Sequence, residues 1–281
     1  MRVVLVLLLC GLLAAPAAAA PGAELPRGGR ALLPDLRVVG LYGHPQVPAL
    51  GSLGQGSAAH VTERLRLLAA RYERPGRRVQ PALHLLASVA QPRGGRLLRR
   101  RTSPLLIERW LRVARAARAL LVLEVQGGRS SFVAEARALR AFLREPDVGL
   151  ALDPEWRVGP TGVPGRTRGA VGGREVDAVA AELQRHVGRG DLPDKLLVVH
   201  RFTEAMLRDE AALEARPGVD LVVDVDAIGS PPQKRRTYEA LSARLPLLPH
   251  GLMLFARRDR GLMTPAQVLA LSPEPDLVVL Q

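Results

Sequence analysis

The chain has 281 residues, 47% of them apolar and 24% charged, a balance that can bury a sizeable core and excludes disorder as the main state. The formal net charge is +13, yet among 40 basic residues only Lys195 and Lys234 are lysines; with abundant Ala, Gly, Pro and Leu, this arginine excess reads as GC-rich coding bias and is discounted as a functional signal. Aromatics make up 3% and do not interleave with the arginine runs as a base-stacking surface would need, so nucleic acid is not an expected partner.

In chain order, Arg2 precedes an apolar run from Val3 to Leu13 and then alanines through Ala20. A positive start, an apolar core and small residues before the cut predict a secretory signal peptide over residues 1–19, hence an extracytoplasmic protein. The run is too short for a membrane span. Cys10 is the only cysteine; bulky Leu9 before it disfavours a lipid anchor there. The mature chain then holds no disulfide, thiolate nucleophile or Cys-ligated zinc. Residues 20–34, with Pro21, Gly22, Pro26, Gly28, Gly29 and Pro34, predict a flexible leader ahead of a single domain over residues 35–281.

From there short aliphatic runs alternate with longer amphipathic segments. Strands are expected at Leu36–Tyr42, Ala82–Val89, Ala119–Val125, Val148–Asp153, Lys195–His200, Asp220–Asp226, Gly251–Phe255 and Asp276–Leu280. Helices are expected near 59–72, 104–117, 131–144, 174–188, 203–215, 231–244 and 264–271, with start signals at Thr102-Ser103-Pro104, Thr203 and Thr264-Pro265. This alternation predicts an α/β fold, a (β/α)8 barrel of the TIM type with eight parallel strands and the last helix absent. An open doubly wound sheet is the alternative. The longest internal loop, residues 157–173, follows the fourth strand, on the side where barrels place their active-site loops.

Strands buried on both faces should be apolar throughout, and these are until their C-terminal ends. There stand Tyr42 and His44, Glu124 and Gln126, Asp153, Glu155 and Trp156, His200, Asp224 and Asp226, and Arg257. Period-two alternation places Asp153 with Glu155, Asp224 with Asp226 and Glu124 with Gln126 on the barrel-facing side. Each could be an ordinary solvated strand end; desolvating the whole set is costly unless a ligand, a metal or proton sharing offsets it.

Carboxylates gathered at such a mouth suit glycoside hydrolysis, which needs one carboxyl as acid and another as nucleophile or base. Glu155, beside apolar Trp156, is the expected acid, and Asp226 or Glu124 its partner. Tyr42, His44, Gln126, Asp153, Trp156, His200, Asp224 and Arg257 are the expected substrate contacts, the substrate being a polysaccharide or glycan of the cell envelope. The segments Gly40-Leu41-Tyr42-Gly43, Glu124-Val125-Gln126-Gly127, Asp153-Pro154-Glu155-Trp156 and Val199-His200-Arg201-Phe202 resemble secreted or lipoprotein-type bacterial proteins with a glycoside-hydrolase-like TIM barrel. The resemblance spans most of residues 36–281 and implies a fold and a compartment without a particular reaction. Glycosidase barrels often carry an acid/base glutamate at the end of strand four, where Glu155 sits. In the large clan so built, the nucleophile ends strand seven and an Asn precedes the acid; here strand seven ends Phe255-Ala256-Arg257 and Pro154 precedes Glu155.

Two other readings stay open. One is a non-catalytic barrel binding envelope polysaccharide or a partner. The other is a divalent-metal-dependent hydrolase or isomerase using Glu124, Asp153, His200 and Asp224, although no His-x-His or His-Glu-x-x-His motif is present, so no cofactor is the primary expectation. The run Arg96–Arg101 reads as a solvated loop before a helix.

Overall fold

The computed structural model describes residues 22–281; the expected signal peptide and Cys10 lie outside the described residues. Eight strands form the barrel: β1 (Leu36–Gly43), β2 (Arg78–Ala90), β3 (Leu120–Val125), β4 (Val148–Leu152), β5 (Lys195–Arg201), β6 (Val219–Val225), β7 (His250–Leu254) and β8 (Leu277–Leu280). Each pairs in parallel with the next, and β8 closes on β1 with Val38 opposite Leu277. Closure leaves no edge, and β1 is buried along its whole length, as expected of strands covered on both faces.

Alternation sorts the side chains. Val38, Tyr42, Ala82, Leu86, Leu120, Val122, Ala151, Leu196, Val198, Val222, Met253, Leu277 and Val279 fill the interior as one cluster. Their chain neighbours, among them Leu83, Leu121, Leu150, Leu197 and Val223, pack outward beneath the helices.

The helices are α1 (Ala58–Ala70), α2 (Pro104–Ala116), α3 (Phe132–Ala138), α4 (Arg140–Leu143), α5 (Gly173–Gly190), α6 (Pro231–Ser242) and α7 (Pro265–Leu269). Several begin as their caps direct: Ser57 Oγ accepts from the His60 amide, Ser131 Oγ from that of Ala134, and Thr264 forms a capping box with Gln267 ahead of Pro265. The single helix expected over 131–144 is two short ones, broken at Leu139. The helix expected over 203–215 does not form. In its place two 3-10 turns, Glu204–Met206 and Glu210–Ala212, flank a short strand, Leu207–Arg208, that pairs with Val171–Gly172. Asp209 takes a left-handed conformation with φ 52°, which a right-handed helix through this segment does not admit.

Two other expectations change. Residues 22–34 are no flexible leader: Leu25 and Leu32 are buried in the interior cluster at the N-terminal end of the barrel. The amides of Leu32 and Leu33 donate to Asp194 Oδ2 and Asp220 Oδ2, at 3.3 and 3.1 Å. The run Arg96–Arg101 is partly strand, since Arg99–Arg101 pairs antiparallel with the end of β2 and Arg99 and Arg101 both bind buried Glu135. No described helix is long and apolar enough to cross a membrane.

Candidate active site

The strands deliver their polar ends to a cavity of about 250 Å³ at the C-terminal mouth. Tyr42 from β1, Glu124 from β3 and His200 from β5 crown interior columns that are otherwise apolar, and Asp226, just past β6, stands above buried Asp224. Gln126, Asp153, Glu155 and Trp156 complete one wall, and Phe202, Phe255 and Arg258 the opposite side.

Glu124 is the hub, its side chain 1% exposed. Tyr42 Oη donates to its Oε1 at 2.8 Å. Its Oε2 lies 3.0 Å from His200 Nε2 and 2.7 Å from His84 Nε2. Beyond it, His200 Nδ1 stands 3.0 Å from Asp226 Oδ1 and 3.3 Å from Asp224 Oδ2. His200 thus faces a carboxylate at each ring nitrogen, and only the doubly protonated ring donates to both.

Burial alone would lower the His200 pKa, but the charges of Asp226 and Glu124 and the hydrogen bonds outweigh it and hold the ring well above its ordinary value. Burial likewise opposes ionisation of Glu124, and the charge and hydrogen bond of His200, with the close approach of His84, hold it far below the usual carboxylate range. Charges this deep cost several kcal/mol each when unpaired, so the cluster stands or falls as a unit. Its packing shows in the backbone: Gly251 on β7 lies opposite Asp224, and a Cβ there would come within 2.5 Å of Asp224 Oδ1.

Beside the hub, Asp153 Oδ2 accepts from Gln126 Nε2 at 3.3 Å. Burial, then the negative charge of Glu124 and that of Asp226, pushes the Asp153 carboxyl well above its ordinary value. Burial also raises Asp226; His200 pulls it back, leaving it at about 6. Neighbouring carboxyls are therefore pushed in different directions: Glu124 down, Asp226 up to about 6, and Asp153 up more strongly still, toward its protonated form. Environments that push carboxyl pKa values apart divide acid from base.

Of the residues singled out from sequence, Tyr42, Glu124, Gln126, Asp153, Glu155, Trp156, His200 and Asp226 line this one cavity. Asp224 sits beneath it, fully buried, against His200. His44 lies outside it, where Nδ1 accepts from the Gln46 amide and Nε2 pairs with Thr102 Oγ1. Arg257 lines an adjoining cavity, and Arg258 reaches the acidic one. Sequence reasoning passed over His84, Phe202, Phe255 and Arg258 as site residues. His84 carried a legible signal: it shares parity with interior Ala82 and Leu86, a polar ring halfway along an apolar column. A reading confined to the strand tips misses it.

Among the described residues two groups could take a divalent ion, His84 with Glu124 and His200, or His200 with Asp224 and Asp226. Asp153 belongs to neither, so the metal set expected from sequence is split. In both groups the donors already contact one another at hydrogen-bonding distance, and an ion would have to part them.

No protein-family model matches the sequence, and no curated protein is similar to it. Among solved structures, a hyperthermophilic endo-beta-1,4-glucanase in complex with substrate superposes with a TM-score of 0.46 at 8% identity, covering 87% of each chain. An oxaloacetate acetylhydrolase gives 0.49 at 14% identity, covering 88% of this chain and 75% of that one. Likenesses this distant assign no reaction.

Proposed function

We propose that the chain is a carbohydrate-active hydrolase, cleaving a glycosidic bond at the C-terminal mouth of the barrel. The observation that carries this reading is the placement of Asp153 and Asp226 in one cavity of about 250 Å³, with burial and the neighbouring carboxylates favouring the protonated form more strongly at Asp153 than at Asp226. Glycoside hydrolysis requires such a pair. Asp153 gives its proton to the departing glycosidic oxygen. Asp226, ionised above about pH 6, attacks the anomeric carbon or takes the proton of an attacking water. The carboxyl separation selects the outcome: retention at about 5–5.5 Å, inversion at about 6.5–9.5 Å. His200 orients Asp226, and Glu124 balances the charge on His200 while holding Tyr42. Trp156 offers an apolar face to a sugar ring. Glu155, the acid to which the sequence points, stands half-buried on the same wall two residues beyond Asp153. The signal-peptide-like start supports an extracytoplasmic glycan as substrate.

The test is release of new reducing ends from envelope and plant polysaccharides by the full chain, beside Asp226→Asn, Asp153→Asn and Glu155→Gln. We expect the two Asp variants to lose about 10²–10⁴-fold in kcat, Glu155→Gln to lose less than about tenfold, and chelators to change nothing. A larger loss in Glu155→Gln moves the acid there. Silence from the unaltered chain on every polysaccharide overturns the hydrolase reading in favour of a binding barrel.

A further inference from the structure

The cavity is acidic inside and basic at its rim. Arg258 lines it with its guanidinium 5.7 Å from the centre of the Phe255 ring, an arrangement that fixes the fork while leaving its N–H groups free. Phe255 and Arg258, with Ala49 and Gln281, also line the adjoining cavity of about 190 Å³, to which Arg257 and Gln55 belong. One trough therefore runs from the carboxyl cluster past Arg258 to Arg257. On the other side, the loop after β4 passes Trp156 at Gly165 and carries Arg166 and Arg168, both exposed.

Among the described residues none of these four arginines has a carboxylate partner, whereas Arg157 and Arg201, deeper in the same face, are paired with Glu175 and Glu210. The acid/base chemistry uses none of the four. The net charge of the chain is uninformative as a sum, and arginines without a carboxylate partner occur elsewhere on the surface, but Arg257 and Arg258 line the trough itself, where free guanidinium groups recognise a ligand that brings its own negative charge.

We propose that the site takes an acidic glycan, a uronate-containing chain whose ring carboxylates pair with Arg257 and Arg258 in the trough and with Arg166 and Arg168 across the mouth. That one of its glycosidic bonds lies over Asp153 and Asp226 rests on the hydrolase reading above. A planar carboxylate matches the guanidinium fork in two parallel hydrogen bonds. Phosphate would satisfy the same charges, but the trough lacks the succession of aromatic platforms that single-stranded nucleic acid needs, and it ends blind at the carboxyl cluster.

The experiment is calorimetric titration of the full chain carrying Asp226→Asn, so that ligand is not consumed. The probes are short oligogalacturonates, their methyl esters, neutral cello-oligosaccharides, and single-stranded DNA of matched charge. The oligogalacturonate is expected to bind at least about tenfold more tightly than its methyl ester or the neutral chain. Adding Arg257→Gln and Arg258→Gln together is expected to weaken it about tenfold and leave neutral-chain affinity unchanged. Both residues are exposed, and an unaltered melting temperature establishes that the variant is folded. Equal affinity for acid and ester, indifference to the double substitution, tighter binding of DNA, or no binding of any probe each overturns the proposal. Oligogalacturonate binding as expected, with no reducing ends released from it by the unaltered chain, would sink the hydrolase reading and leave the acidic-glycan site standing.

Discussion

His84 shows how one side chain ties the site to the stability of the barrel. Its ring lies between those of Tyr42 and His200, with centroids 5.4 and 5.5 Å away, and its Nε2 is 2.7 Å from Glu124. His84→Phe keeps a planar ring in the column but removes one of the three groups that hold an ionised, buried carboxylate. Taking a close polar partner from a buried charged group costs about 1–3 kcal/mol, so urea unfolding should show a loss of that size with an unchanged m-value. A change below about 0.5 kcal/mol would mean that Glu124 does not depend on His84. At this scale, period-two alternation made Glu124, Asp153, Asp226 and His200 legible, because neighbours on one strand share a face whatever the rest of the molecule does. His44 was not legible. Its partner Thr102 lies 58 residues away, and no local pattern announces so distant a contact.

Among the elements, the strands follow directly from aliphatic runs, whereas two connecting segments do not follow from composition. Prolines and glycines in residues 22–34 suggest freedom, yet the segment closes the N-terminal end of the barrel because Leu25 and Leu32 find an apolar opening there and its amides find carboxylates. Arg118 Nε also donates to Pro26 O at 3.1 Å. A leader without packing would tolerate Leu32→Ala. A plug would not, and the fully buried position predicts a loss of about 2–5 kcal/mol, read as a lower urea midpoint. The stretch 203–215 deceived in the opposite direction. Its helix-forming residues are overridden where Glu210 turns to Arg201 and Leu207–Arg208 joins a two-stranded ladder, tertiary contacts that local propensity does not encode.

Across the whole molecule both ends of the barrel bury carboxyl groups. At the N-terminal end Asp194 and Asp220 receive the amides of Leu32 and Leu33, and Asp276 pairs with Arg77. There burial, then the charge of Asp194, raises the Asp220 carboxyl to about 7. Its folded pKa exceeds the unfolded value near 3.9, so the native state binds the extra proton and stability falls as pH rises between those two values. Asn at position 220 can still accept from the Leu33 amide but carries no charge. Asp220→Asn should therefore match the parent chain below about pH 4 and exceed it by about 1–3 kcal/mol at pH 8; equal stability at pH 8 would contradict the assignment. At the other end the carboxyls of Asp153 and Asp226 are both raised, Asp153 the more strongly, and this can be tested without knowing the substrate. Carbon-13 NMR titration of the aspartate side-chain carboxyls, assigned with Asp153→Asn and Asp226→Asn, reads their protonation directly. The Asp153 signal is expected to titrate well above the ordinary carboxylate range, and the Asp226 signal near pH 6. Both signals titrating in the ordinary carboxylate range, near pH 4, would contradict it.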